Sequence, residues 1–478
     1  MPEIIYDVAI VGSGPAGYTA AIRAGQWGLK TALIEKNDLL GGTCLHVGCI
    51  PTKALLFNAE VFEHFKAAKE YGVEGVTAPK LNWAAVQQRK DKVVTKHAKG
   101  LEFLMRKNKV TTIQGYGKLT GPAKDGVFSV EVFTAGGGGA GGETSFVKAK
   151  NVILATGSEA RMLPGLEPDS RVLTNIEILS LSALPKSLIV VGAGAVGVEF
   201  ASIYRSFDTE VTILEMLPRL VPVEDEEISK ELARCFRKRG INYQVGCKVD
   251  KVEKTKTGVA VSITVDGKPQ KLEAEKILIA VGRKPNTENI GLEKVPAIKS
   301  ERGYIHVNEW MQTGEAGIYA VGDIVVGLPQ LAHAGAMEGI VAVARIAGKA
   351  ARPVRRERVP GATYCEPQIG SVGLTEAQAR ESGRKITVGK FPFSANSKAS
   401  ILGAHEGFIK IVSDAQYGEI LGVHILGPSA TELIAEAVAA MDLEATAEDL
   451  MFTIHAHPTL SEAMLDAANS VYGIAINV

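Results

Sequence analysis

Net charge is what this chain lacks most plainly: 53 Lys and Arg side chains face 53 Asp and Glu in 478 residues. Such a balance leaves no footprint for nucleic acid or another polyanion. Aromatic residues are scarce, at 6%. Long apolar runs are missing too. The most apolar stretch, residues 188–204, carries Glu199 and several glycines, which excludes a membrane span. No basic segment precedes the apolar run at the N-terminus, so Met1 to Val11 reads as a strand and not a secretory leader. The expectation is a cytoplasmic protein without membrane or nucleic-acid partners. Cysteines number five, an odd count, and only Cys44 and Cys49 lie close together. Cys235, Cys247 and Cys365 read as buried, inert thiols. What is present is length, 478 residues, enough for two to four domains with sizeable cores, and 46% apolar residues, which with so few aromatics fit an α/β protein.

The run Gly41-Gly42-Thr43-Cys44-Leu45-His46-Val47-Gly48-Cys49-Ile50-Pro51-Thr52-Lys53 organises the rest. On a regular helix its cysteines would stand about 140° apart around the axis and about 7.5 Å apart along it. A disulfide needs closer Cα atoms. Gly48 permits a bend and Pro51 suits a first helical turn, so the pair is expected on a distorted helix start. The amide ends of that helix would lower a thiol pKa there. Spacing alone leaves a redox dithiol, a structural disulfide, half a metal site and unpaired core thiols all open. No second cysteine pair completes a zinc set, and no metal is expected.

The neighbouring motifs favour redox chemistry. A strand over residues 6–11 leads into Gly12-Ser13-Gly14-Pro15-Ala16-Gly17, an alanine-rich helix and a second strand ending in Glu35. This is a dinucleotide-binding βαβ unit. Gly12 allows the tight turn, Gly14 lets a pyrophosphate approach, and Gly17 lets helix pack on strand. Glu35 is placed to accept from a ribose. The pattern repeats: a strand at 187–191, Gly192-Ala193-Gly194-Ala195-Val196-Gly197, a helix, and a strand ending in Glu215. Two such units predict two dinucleotides. A carboxylate at 215 would repel a 2′-phosphate, so NAD is favoured over NADP, with Arg219 the one nearby cation.

Between the units, residues 81–108 read as a long helix. Gly115-Tyr116-Gly117 reads as a turn close to a nucleotide. The glycine run 136–142 reads as a mobile hairpin tip. Thr156-Gly157-Ser158 is where the chain leaves the first domain. Further on, Gly322-Asp323 ends a strand with an exposed acid suited to a ribityl or ribose hydroxyl. Gln330-Leu331-Ala332-His333 opens a helix whose N-terminus could stabilise a polarised flavin. After residue 358 no glycine loop appears. Strands at 369–374, 408–413 and 421–426 with helices at 375–382 and 430–441 read as a separate α+β domain. It closes on Ile454-His455-Ala456-His457-Pro458-Thr459-Leu460-Ser461-Glu462.

Taken with Tyr364-Cys365-Glu366-Pro367-Gln368 and Phe391-Pro392-Phe393-Ser394-Ala395-Asn396, these motifs resemble the flavoprotein disulfide reductases over nearly the whole chain. The resemblance implies an α/β fold of two Rossmann-like domains and a C-terminal α+β dimerisation domain. FAD would lie on 1–150 and 282–352, NAD on 151–281, and the dimer interface on 353–478. It implies a redox-active Cys44–Cys49 disulfide with Cys49 nearer the flavin. His457, oriented by Glu462, would be the acid/base, reaching the active site of the other subunit of an obligate homodimer. Lys53 would pair with Glu199 beside the flavin. Cofactor contacts would extend to Gly42, Thr43, Gly117, Thr156, Gly157, Ser158, Gln330, Leu331, Ala332 and His333, and to Val196, Val249 and Gly282. The branch it most resembles oxidises dihydrolipoyl groups on a lipoylated acyltransferase or lipoyl carrier protein, passing electrons to NAD. Branches acting on glutathione disulfide or mercuric ion fit less well: Glu215 disfavours NADPH, and residues 472–478 hold no cysteine pair. His46 stands where the family usually has asparagine.

Overall fold

The computed structural model describes residues 4–134 and 142–477. All but the last of the glycines at 136–142 lie outside them. The chain forms two compact units. The first comprises residues 1–51, 88–160 and 283–356, and the second residues 52–87, 161–282 and 357–478.

The first unit is built on β1 (Ile5–Val11), α1 (Pro15–Gln26) and β2 (Thr31–Glu35). β1 is buried along most of its length because both faces of its sheet are covered. It pairs in parallel with β2 and with the strand Glu143–Leu154. That long strand does double duty. Its first half pairs antiparallel with Phe128–Thr134, and its end pairs in parallel with Ile318–Ala320. The returning strand joins residues from beyond position 283 to the sheet that holds the first glycine loop. The helix Ala332–Ile346 then packs along α1, and small residues make this possible. A Cβ added at Gly339 would lie 2.5 Å from the Ala16 carbonyl oxygen. Gly117 is not in a turn. It lies in the strand Tyr116–Leu119, where an added Cβ would sit 2.9 Å from Val11 and 3.2 Å from Ile34. Gly115, at φ +146°, makes the bend instead.

The second unit repeats the first motif. Ser187–Val191 and Glu210–Leu214 flank the helix Ala195–Ser206 in a five-stranded parallel sheet. A three-stranded antiparallel sheet over residues 247–274 covers one face of it with a shared apolar core. The C-terminal part is a five-stranded antiparallel sheet, two strands wider than the sequence predicts: Gly361–Thr363 and Ile386–Pro392 join it. Helices Ala430–Asp442 and Glu462–Val471 pack on this sheet. A buried charge cluster ties it to the repeat. Lys410, 1% exposed, reaches Asp225 at 2.9 Å, Glu227 at 2.8 Å and Glu376 at 2.7 Å. No helix among the described residues is long and apolar enough to cross a membrane.

Candidate active site

The two glycine loops have the same anatomy. Gly12, at φ +103°, approaches so closely that an added Cβ would lie 2.2 Å from the Ala155 oxygen. One at Gly17 would lie 1.9 Å from the Gly12 oxygen. In the repeat the distances are 2.3 Å from Gly192 to Ala280 and 1.9 Å from Gly197 to Gly192. The outer glycines therefore permit packing inside the protein. The middle ones do not: a Cβ on Gly14 or Gly194 meets nothing within 4 Å. Both stand at the N-cap of a helix, with unused amide ends ahead of them. That open, amide-lined space fits a pyrophosphate.

The two acids brace these loops. Glu35 Oε2 accepts from Ser13 N at 2.9 Å and Ser13 Oγ at 2.7 Å, while Oε1 accepts from the backbone and side chain of Asn37, both at 2.9 Å. Those four bonds use its ordinary acceptor capacity. Glu215 accepts from Ala193 N at 2.6 Å and Leu217 N at 2.8 Å, which leaves room for two more donors. Arg219 is turned away to its own loop, donating to the Pro222 oxygen at 2.9 Å and the Glu224 oxygen at 3.2 Å.

Asp323 is half-buried, not exposed, and stands in a polar cluster of the first unit. It accepts a short hydrogen bond from Ser158 Oγ. Gln330 donates to its carbonyl at 3.1 Å. Arg283, 125 positions from Ser158, donates to the Ser158 Oγ and carbonyl, both at 2.6 Å, and lies 3.8 Å from the Asp323 carboxylate. Thr156 Oγ1 donates to the Asn286 oxygen at 2.7 Å, and Gly157 takes φ +69° between them. Sequence reasoning missed Arg283 and Asn286. Their signal was the run 282–286 itself, which follows a strand and carries charge. Gly282, at φ +105°, has open space where a side chain would be. Val249 pairs with Ile263 and packs in the apolar core of the antiparallel sheet. Val196 is exposed in the first turn of its helix.

The dithiol stretch is two helices. α2 spans Gly42–Val47 and α3 spans Cys49–Lys66, parted at Gly48, whose φ and ψ are −143° and −119°. An added Cβ on Gly48 would lie 2.9 Å from the Thr43 oxygen and 3.2 Å from the Cys44 Cα. The break thus folds the chain back onto Cys44, as the glycine and proline predict. Gly42 presses on the first loop, its added Cβ 2.7 Å from Gly14 Cα. Gly41 N also donates to the Ser13 oxygen at 3.1 Å. Both thiols are half-buried. Burial, and then the charge of Cys44 and Cys49, push the Tyr18 hydroxyl of α1 up, so the thiols and α1 share one electrostatic environment. His46 donates through Nε2 to the Leu40 oxygen at 2.8 Å. Burial raises the other three thiols, with Cys235 pushed up to about 12. Cys235 comes together with Glu231 and Glu406, but Arg234 and Lys238 already pair with Glu406.

In the second unit, Lys53 Nζ donates to both oxygens of Glu199, at 3.0 and 2.9 Å. Glu199 is 4% exposed and also accepts from Tyr364 N at 2.9 Å. The ammonium lies 4.7 Å from the centre of the Tyr364 ring. The two terminal histidines differ. His455 is nearly closed off, with Nδ1 2.8 Å from the Thr453 oxygen and Nε2 2.7 Å from Glu436. His457 holds Glu462 Oε1 through Nδ1 at 2.9 Å and leaves 71% of its side chain exposed. Glu462 Oε2 accepts from Thr459 N at 2.8 Å. Burial works against its charge, yet the Thr459 amide and His457 hold the carboxyl below its ordinary range. An exposed imidazole backed by a fixed carboxylate is equipped to take up a proton.

Residues 6–339 match the pyridine nucleotide-disulphide oxidoreductase family, and residues 359–468 match the dimerisation domain of the same family. The chain belongs to that family, and it is an oxidoreductase with the α/β architecture and C-terminal domain the sequence predicts. It is similar to the dihydrolipoyl dehydrogenase of Bacillus subtilis, at 47% identity over 99% of both chains. It is also similar to the mitochondrial dihydrolipoyl dehydrogenase of Pisum sativum, at 40% identity over 99% of this chain and 92% of that one. Among solved structures, LpdA from Mycobacterium tuberculosis superposes with a TM-score of 0.88 at 29% identity, covering 97% of this chain and 98% of that one. The flavoprotein disulfide reductase RclA from Escherichia coli does so at 0.84 and 27% identity, covering 97% and 99%. The family's cofactors are FAD and NAD. The open space at Gly14 and Gly194 fits two such pyrophosphates.

Proposed function

We propose that this chain oxidises protein-bound dihydrolipoyl groups with NAD as the final acceptor, as a homodimer serving 2-oxo acid dehydrogenase or glycine cleavage complexes in the cytoplasm. One observation carries this reading: two half-buried thiols stand either side of a helix break, on a stretch whose first residue, Gly42, is packed on the first dinucleotide loop. FAD is assigned to Gly12, Gly14, Gly17 and the Asp323 cluster, and NAD to Gly192, Gly194, Gly197 and Glu215. Together these cofactors supply a two-electron acceptor and a hydride acceptor.

The chain's own residues do the thiol chemistry. His457 of one copy takes a proton from a dihydrolipoyl thiol held against the dithiol of the second copy. The carboxylate of Glu462 stabilises the imidazolium that results. The substrate thiolate attacks Cys44 Sγ of the Cys44–Cys49 disulfide, forming a mixed disulfide and releasing Cys49 as a thiolate. The second substrate thiol then displaces Cys44, and its proton leaves on the departing Cys44 sulfur. Oxidised lipoyl leaves, the two electrons remain on the dithiol, and the first proton remains on His457. The amide end of α3 favours the thiolate released at Cys49. Lys53, oriented by Glu199, holds a fixed positive charge on the same helix that begins with Cys49.

The purified homodimer should be yellow and should form NADH from NAD and dihydrolipoamide under anaerobic conditions. Reduction of its flavin by NADH but not by dihydrolipoamide would overturn the substrate reading.

A further inference from the structure

Glu338 is absent from the chemistry above, yet its burial is complete. It lies on the helix Ala332–Ile346 at 0% exposure. Its Oε2 accepts from Gly322 N at 2.6 Å. Its Oε1 is closed to solvent and has no hydrogen-bond partner among the described residues. Few carboxyl oxygens in native proteins are left this way. Burial first, and the nearby charge of Asp323 after it, push the carboxyl up to about 7. The unpartnered oxygen is where a neutral carboxyl keeps its proton.

The surroundings show what the bond does. Gly322 takes φ +76° and immediately precedes Asp323. The helix that carries Glu338 is pressed against this turn and against α1 at once: an added Cβ on Gly335 would lie 3.1 Å from Gly322 Cα and 3.2 Å from the Ala16 side chain. Asp323 is the one acid on that turn, and α1 meets the helix with Ala16 and Ala20. The Gly322 amide is therefore held by the helix, while Ser158 holds the Asp323 carboxylate and Gln330 its carbonyl.

We propose that Glu338 is a positioning residue of the FAD site: its hydrogen bond to Gly322 sets the turn that presents Asp323 to the cofactor. The inference rests on the assignment of the Asp323 cluster to FAD.

The test is a double-mutant cycle on the holoenzyme, read as FAD affinity from the fluorescence of released flavin, with thermal unfolding recorded alongside. Glu338→Gln keeps a carbonyl acceptor for Gly322 N and a donor where the proton sat. It should hold FAD within about threefold of the parent. Glu338→Met keeps the volume and loses the bond. It should weaken FAD by about tenfold, the size expected for a lost buried hydrogen bond. In an Asp323→Ala background the same Glu338→Met change should cost less than about twofold, since residues acting through one another are not additive. Should Glu338→Met fail to fold, Glu338→Ala takes its place in the cycle. A Gln variant as weak as the Met variant, or an undiminished tenfold loss in the Asp323→Ala background, overturns the proposal. A parent enzyme that holds FAD but ignores dihydrolipoamide would sink the substrate reading and leave this one standing.

Discussion

Lys53 and Glu199, 146 positions apart, meet through two hydrogen bonds of 3.0 and 2.9 Å, with Glu199 almost wholly buried. Removing Lys53 leaves a buried carboxylate whose remaining hydrogen bond among the described residues is from the Tyr364 amide. Lys53→Met should cost roughly 2 kcal/mol, below the 3–5 typical of a fully buried pair because the lysine is partly exposed. Adding Glu199→Gln should recover part of that loss, since the stranded charge disappears. Urea unfolding of the two single variants and the double variant checks this. Strictly additive losses would mean that the pair is not coupled.

His457 and Glu462 should act on one half-reaction only. His457→Gln is expected to lower dihydrolipoamide oxidation by about 10²–10⁴-fold, the usual contribution of a general base. Reduction of an artificial dye by NADH should stay near the parent rate, because that path needs no substrate thiol deprotonated. Glu462→Gln should show the same split with a smaller loss. Parallel losses in both assays would point to misfolding and remove the acid/base role.

Glu215 supports the second glycine loop and has acceptor capacity left over. Glu215→Arg should therefore weaken NAD by about tenfold or more and NADP by less, as the charge at the ribose edge is reversed. Equilibrium binding of both nucleotides measures the ratio. Unchanged preference would place the ribose elsewhere.

The stability of the fold should carry a signature of Glu338. Its folded pKa, about 7, lies above the ordinary 4.5 because burial, and then Asp323, disfavour the charged form. Between those values the folded protein binds more protons than the unfolded chain. Stability from this group is thus full below about 4.5, declines as pH rises and is gone above about 7. The decline is on the order of 3 kcal/mol. Urea unfolding of the parent and of Glu338→Gln at about pH 5 and about pH 8 should show the parent losing that much more than the variant. Equal pH dependence would mean that Glu338 is ionised throughout.

Much of this site was legible because its signals are local. Each glycine loop needs glycines at fixed offsets, as the contacts of Gly12 and Gly17 show, and each offset can be read within six residues. The break at Gly48 and the turn of α3 over Pro51 likewise follow from neighbours in the chain. Thr375 was legible as a helix start for the same reason, and it caps the helix Glu376–Glu381 with a reciprocal Gln378 bond. Arg283, Asn286 and Glu338 were not legible. Their partners lie 125, 130 and 16 positions away, across strands or turns; the run 282–286 marks a charged turn after a strand, but no neighbour in the chain says which partner each residue meets.

The chain's own order of residues determined that there are two dinucleotide loops, a dithiol across a bend, and a histidine five positions before a carboxylate. These are short-range patterns, imposed by backbone sterics and side-chain chemistry within a few residues. Only the tertiary structure decided that Glu35 is saturated by Ser13 and Asn37 while Glu215 keeps acceptor capacity, that His455 is tied up while His457 is open, and that Gly117 packs in a strand. Burial and hydrogen-bond saturation settle those points, and both depend on groups that folding brings together from distant parts of the chain.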